Sequence, residues 1–409
     1  MSQTTRRIAL FFCFTFSLAV LSTMVQAQTL TVLHNFTGGG DGSYPEAGLT
    51  MDRQGNLYGT TAEGGAHGYG VVFRLSHAGS GWVLTPLYSF DGSDGGYPIS
   101  GVVFGPDGAL YGTTPAIQGA GLGTVYRLRP SPAACHAVLC PWEKTVVFSF
   151  PGGNGGQNPG PGNLIFDGAG NIYGTTEDGG QDHLGVVYEL TPSNGSWTET
   201  VLWYFSSVDM GYLPLSGVVL DSSGNLYGTT SRGGTSDNGV VYQLTPSGSG
   251  WTENVLVSLS TSRADAGLVI DGQGNLFGNT CCGRLYDHPG DAFELTPSNG
   301  GWTFNELYTF STLGYGPEYT PTLDAAGNIH GTSSGGGLNN MGEVFKLTLS
   351  NGSWTYTSVS FDGSNGSNPE GSVILDAAGN IYGTAQVGGN GACSMYGTTG
   401  CGVVWEITP

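Results

Sequence analysis

Gly55-Asn56-Leu57-Tyr58-Gly59-Thr60-Thr61 is the phrase on which this sequence turns. It returns as Gly108-Ala109-Leu110-Tyr111-Gly112-Thr113-Thr114, Gly170-Asn171-Ile172-Tyr173 and Gly224-Asn225-Leu226-Tyr227. Three more copies follow, at Gly274-Asn275-Leu276-Phe277, Gly327-Asn328-Ile329-His330 and Gly379-Asn380-Ile381-Tyr382. The seven copies are stepped by 53, 62, 54, 50, 53 and 52 residues, and a period near 50 marks a solenoid, a propeller or an array. Around the first copy lie four strand-like runs, residues 48–51, 56–61, 70–76 and 82–90, each bounded by turn residues. Four short antiparallel strands repeated radially make a propeller blade.

The two ends of the repeat array select the propeller. A Trp opens the fourth run in six copies (Trp82, Trp142, Trp197, Trp251, Trp302 and Trp354), and the seventh copy stops after its third run. The missing run stands near the N-terminus, as Leu33-His34-Asn35-Phe36 within residues 30–36. A strand shared between the termini closes a ring and hides its edges, whereas a solenoid has no use for a split repeat. The expected fold is all-β, a seven-bladed β-propeller of residues 28–409 with four antiparallel strands per blade. Composition agrees: 73 of 409 residues are Gly against a usual ~7%, and only 10% are charged, which excludes coiled coils and helical bundles. With 38% hydrophobic and 11% aromatic residues the chain can build a core, so disorder is excluded too.

The pattern Asp52-x-x-Gly55-Asn56-Leu57-Tyr58-Gly59-Thr60-Thr61, Gly64-Gly65, Gly70-Val71-Val72-Phe73, then Leu87-Tyr88-Ser89-Phe90-x-Gly92 resembles the tandem GloVer repeat. Its shorter Asp-x-x-Gly-Asn-x-Tyr element is similar to NHL-type propeller repeats. The first resemblance, to the choice-of-anchor tandem repeat proteins, spans essentially the whole chain and implies a secreted bacterial protein without an established activity. It carries no catalytic residues over. The family name implies a C-terminal sorting anchor in some members, which this sequence is read as lacking.

Residues 1–27 read as a secretory signal peptide: Arg6 and Arg7, an apolar run from Ile8 to Val20, then Val25-Gln26-Ala27 before Gln28. The expected mature protein is secreted or periplasmic, monomeric and without a transmembrane segment. Its nine basic residues against 31 acidic ones give a net charge of −22, which repels phosphate backbones, so nucleic acid is excluded as a partner. In an oxidising compartment the near pairs Cys135/Cys140, Cys281/Cys282 and Cys393/Cys401 are expected as local disulfides, although bridging the neighbours Cys281 and Cys282 demands a tight turn.

A residue repeated in every blade serves the scaffold, and one that breaks the pattern is a candidate for function. Asp52, Asp167, Asp221, Asp271, Asp324 and Asp376 open the turn between first and second strands and are read as turn caps. Blade two has Gly105 there and carries Asp107 instead. The loops joining strands two to three and four to one share the other face, are variable and polar, and are where binding residues collect. There, Tyr44, Tyr97, Tyr212 and Tyr315 are aromatic candidates for a glycan, cell-wall or protein ligand, or else pack on nearby prolines. Arg232, Arg263 and Arg284, with His288, could grip an anionic sugar, or pair with acids such as Asp265, Asp287 and Asp291. Glu63, Glu177 and Asp178, with His67 and His183, are what a polysaccharide lyase or hydrolase would draw on. A structural envelope protein is the third alternative. No metal site or cofactor is expected beyond Ca²⁺, for which Asp91-Gly92-Ser93-Asp94-Gly95 and Asp41-Gly42 offer oxygen ligands without full calcium-loop spacing.

Overall fold

The computed structural model describes residues 28–117, 121–131, 141–206, 209–248, 250–282, 288–311, 316–395 and 397–409. Cys135, Cys140, Arg284, Asp287 and Tyr315 lie outside these residues. Among the described residues the secondary structure is all β, arranged as seven radially repeated antiparallel sheets: a seven-bladed propeller. Blade one is Thr50–Met51, Leu57–Thr61, Val71–Ala78 and Gly81–Ser89, the short first strand lying nearest the axis. Blade seven is Ile374–Leu375, Ile381–Ala385 and Val403–Thr408, completed by the N-terminal strand Thr29–Asn35 in register from Thr29 opposite Thr408 to Asn35 opposite Val403. The ring is thus closed by its two ends. Blade three carries an additional strand, Gly156–Pro159, which the repeat did not announce.

Each word of the repeated phrase has a physical job. The turn Asp accepts two backbone N–H groups on Oδ1 and the Asn side chain and Tyr hydroxyl on Oδ2; for Asp52 these are Gln54 N, Asn56 N, Asn56 Nδ2 and Tyr58 Oη at 2.9, 2.9, 2.7 and 3.0 Å. The turn needs a left-handed residue, which Gly55 supplies at φ 82°. In blade two Asp107 bonds Ala109 N and Tyr111 Oη from its shifted position, so the substitution moves the cap without losing it. The mid-strand Gly59 leaves room for Phe73, whose ring a Cβ would meet at under 3.0 Å.

Aromatic contacts then join the blades. In six blades the aromatic residue after the fourth strand packs edge-on against the third-strand aromatic of the next blade, blade four having Leu259 there: Phe36 on Phe73, Phe90 on Tyr126, Phe150 on Tyr188, Phe205 on Tyr242, Phe310 on Phe345 and Phe361 on Trp405. Centroid separations of 4.9 to 5.7 Å suit the T-shaped geometry. Phe36 makes this contact from the N-terminal strand, so closure adds a blade interface as well as a backbone ladder. Among the described residues no helix is long and apolar enough to cross a membrane.

Candidate functional site at the axial rim

The first Thr of the phrase positions the rim of the central axis. Its hydroxyl donates to a carbonyl on the inner edge of the following blade: Thr60 to Ser100 O, Thr175 to Ser216 O, Thr229 to Ala266 O, Thr332 to Gly371 O and Thr384 to Ala47 O, at 2.6 to 2.9 Å. Blade five has Asn279 in this place, and its Nδ2 reaches Tyr319 O at 2.9 Å. The Asn is therefore a longer Thr, not a break in function. The residue before each clamped carbonyl is equivalent around the ring, and its identity divides the ring in two. Blades five, six, seven and one present Asp265, Glu318, Glu370 and Glu46; blades two and four present Ile99 and Leu215.

An open depression lies at this rim, lined from all seven blades and including Glu46, Ile99, Pro161, Leu215, Asp265 and Glu318, with Glu370 next in sequence to the lining residue Gly371. Burial pushes Glu318 up to about 7, with Asp265 adding to the rise and Arg263 opposing it. Burial pushes Glu370 up to about 8, and the charges of Glu46 and Glu318 add to it. Glu46 is raised by burial despite accepting a hydrogen bond from Gln386 Nε2 at 2.9 Å. One cation answers these acids among the described rim residues: Arg263 Nη2 lies 2.9 Å from Asp265 Oδ2, while Asp265 Oδ1 is buried without a hydrogen-bond partner.

Cys281 and Cys282 stand at the same place. Both are fully buried free thiols with sulfurs 2.9 Å apart, so the bridge expected between them is absent. The two sulfurs face each other, and each has a further partner: Cys281 Sγ is 3.3 Å from Asp265 Oδ2, and Cys282 Sγ is 3.7 Å from Arg263 Nη2. The hydrogen bond from Cys281 pulls the Cys282 thiol below its usual range. Cys393 and Cys401 are bridged, closing a loop that contains the small ribbon Ser394–Met395 and Thr398–Thr399.

The other candidates are dispersed. Tyr44 and Tyr97 adopt left-handed backbone at φ 57° and 51°, as do Asn158, Leu213 and Asn368, each immediately before a Pro. This costly conformation is held by a bond to the previous blade, such as Tyr97 N to Tyr69 O at 2.8 Å. Tyr44 is 8% exposed in a cluster with Ala62 and Val387, Tyr97 packs edge-on against Tyr69, and Tyr212 donates to Asp237. Tyr212 precedes the left-handed Leu213, so it is one position out of step with Tyr44 and Tyr97. Arg232 lies 4.0 Å from Asp237, and His288 lies 3.8 Å from Asp291. His67 and His183 are exposed on separate loops, while Glu177 accepts from Asn158 Nδ2 at 2.8 Å. Asp41 and Asp91 spend oxygens on their own turns, at Thr37 N and Ser93 N. The sequence reading missed Glu46, Glu318 and Glu370. Comparing the residue after the loop Pro across repeats (Pro45-Glu46, Pro317-Glu318, Pro369-Glu370 against Pro98-Ile99 and Pro214-Leu215) exposes them.

Fold and rim together define a closed propeller with an axial depression, acidic along four consecutive blades. The chain belongs to the Gloeobacter/Verrucomicrobia repeat family, which matches residues 19–145 and 139–322. No curated protein matches it in sequence. Among solved structures it is similar to a PL25 polysaccharide lyase, an ulvan lyase bound to -[GlcA(1-4)Rha3S]-, at TM-score 0.55 and 11% identity over 92% of this chain and 95% of that one. It is similar also to a fungal alcohol oxidase of the AA5 family in complex with copper, at 0.54 and 15% over 93% and 76%. A third is PorZ, a surface component of the type-IX secretion system of Porphyromonas gingivalis, at 0.53 and 15%, covering 91% of this chain and 47% of PorZ. At such identities the likeness is one of fold.

Proposed function

We propose that the protein is an exported binding propeller whose ligand is an amine-bearing saccharide seated in the axial depression. The observation that carries this reading is the division of the rim. One arc lines the depression with Asp265, Glu318 and Glu46, with Glu370 next in sequence to the lining residue Gly371; the facing arc offers Ile99, Pro161 and Leu215. A hexosamine matches both, with an ammonium and hydroxyls for the carboxylates and a C–H face for the apolar side. The raised carboxyl pKa values mark stored desolvation cost that a cation relieves, since an opposite charge favours the ionised form. An anionic sugar meets the opposite field, because Arg263 is already engaged by Asp265.

Export fits the Cys393–Cys401 bridge. Titration calorimetry with glucosamine oligomers, their N-acetylated forms and uronic-acid oligomers tests the proposal. Preferential binding of the free amines is expected, with a loss of roughly tenfold or more in Glu370→Gln, since a charge-assisted hydrogen bond contributes about 1.5–3 kcal/mol. Equal binding of all three, or none, counts against it. Carboxyls shifted to about 7 and about 8 also suit general acid work at neutral pH, which favours glycan cleavage as the second reading. Release of shortened oligomers by the native protein, abolished in Glu318→Gln, distinguishes cleavage from binding.

A further inference from the structure

We infer that Cys281, Cys282 and Glu318 form a binding site for a thiophilic divalent cation, of the zinc class, at the edge of the axial depression. The two sulfurs and a Glu318 carboxylate oxygen lie within 4.8 Å of one another, and among the described residues no other group of three His, Cys, Asp or Glu does so. Two thiolates and a carboxylate are a donor set for which zinc is suited, with three protein ligands leaving the fourth tetrahedral position to water or a ligand. The open side is the depression, which Glu318 and Asp265 line.

The surroundings supply what the three ligands need. Asp265 Oδ2 stands 3.3 Å from Cys281 Sγ and fixes that sulfur beside the open depression, through which the protons that metal binding displaces pass to solvent. The second oxygen of Asp265 is buried and unpartnered, a costly state in a finished polar network. Arg263 Nη2, 3.7 Å from Cys282 Sγ, offsets the charge of two thiolates and a carboxylate gathered in one place. A tetrahedron with 2.3 Å metal–sulfur arms sets its sulfurs ~3.8 Å apart, so the pair at 2.9 Å opens by about 1 Å to accept the ion. Blade five differs from the repeat where the site requires it. Cys281 and Cys282 stand where blade four has Ser231 and Arg232, and Ala264 takes the place of the loop Pro, with Arg263 before it. The site shares Glu318 with the acidic arc of the saccharide reading and is told apart from it by the two sulfurs, which that reading does not use.

The test is Co²⁺ titration of the full mature chain, purified from the exported fraction, chelator-treated and kept under mild reductant. One equivalent taken up with an intense near-ultraviolet sulfur-to-cobalt band, displaced by Zn²⁺, is the expected result. The band should vanish in Cys281→Ser and Cys282→Ser, and Glu318→Gln should keep a sulfur band while weakening affinity tenfold or more. Because buried-thiol variants can misfold, the same site is read in the unmodified chain by alkylation, where Zn²⁺ should protect two thiols. Unprotected thiols, no cobalt uptake, or a Cys281–Cys282 bridge that persists under the reductant (a mass lower by two hydrogens) overturns the assignment.

Discussion

Two sets of carboxylates occupy opposite faces of this propeller and are held in opposite electrostatic states. On one face the turn acids Asp52, Asp167, Asp221, Asp324 and Asp376 are partly buried, which alone would raise them. Hydrogen bonds from the Asn four residues on, joined by further turn donors, reverse that and hold each below the usual carboxylate range. On the other face Glu46, Glu318 and Glu370 are more deeply buried, have few donors, and are raised. The same functional group is a finished structural part in one place and an unsatisfied one in the other. Repetition follows satisfaction: an acid needed by every blade is fully bonded within its own blade, and the acids that vary between blades wait for something outside the chain.

The largest effect should come from removing a finished acid. Asp376 accepts from Ala378 N, Asn380 N, Asn380 Nδ2 and Tyr382 Oη at 2.8, 2.9, 2.9 and 3.1 Å. Asp376→Ala should destabilise the ring by about 2–3 kcal/mol, the net of several such bonds. Glu370→Gln, deleting an acid that repels its neighbours, should leave stability unchanged or raised. Chemical denaturation of the two variants measures both, and equal losses would erase the distinction between the faces.

The next effect is its pH signature. Glu318 and Glu370 have folded pKa values, about 7 and about 8, above the ~4.3 of an unfolded chain. Between those limits the folded state binds more protons, so their contribution is fully present below ~4.3 and is lost as pH rises through 7 and 8. The turn acids act in the other direction: their stabilisation is present above ~4 and is lost on further acidification. Stability should therefore peak in mildly acidic buffer and decline by about 2 kcal/mol towards pH 8, allowing for water reaching the open rim. The double variant Glu318→Gln with Glu370→Gln should flatten the alkaline limb and leave the acid limb intact. A native protein whose melting temperature is flat from pH 5 to 8 would show that the rim carries no such strain.

This division explains how much the sequence could tell. Blade number, ring closure and the turn caps were readable because each is stated several times over, and a chain must repeat whatever every blade requires. Leu33-His34-Asn35-Phe36 was legible as the missing strand since six other copies showed what it had to be. The rim acids are single residues in loops of unequal length, marked in the sequence only by the Pro before them, and the clamped carbonyl beside each one confirms that Glu46 and Leu215 are equivalent. For Cys281 and Cys282 proximity in sequence announced the pair itself, whose sulfurs do face each other, but not its neighbours Asp265 and Arg263, which a linear reading cannot align.

The smallest expected effect sharpens the comparison within the rim itself. Thr332 clamps Gly371 O beside Glu370 in the acidic arc, and Thr175 clamps Ser216 O beside Leu215 in the apolar arc, at 2.9 and 2.6 Å. Replacing either Thr by Val keeps the shape and deletes the donor, leaving a carbonyl unpaired at a cost of about 1 kcal/mol. The two variants should therefore lose similar stability, a shift of a few degrees or less in melting temperature. Binding should separate them. Freed of its clamp, the Gly371 peptide lets Glu370 relax toward solvent, so Thr332→Val should weaken amine-saccharide affinity severalfold, while Thr175→Val, which loosens only an apolar contact, should change it less than twofold. Calorimetric titration of both variants at matched stability reads the difference. If both lose affinity alike, the ligand is gripped by the ring's overall shape and not by the acidic arc.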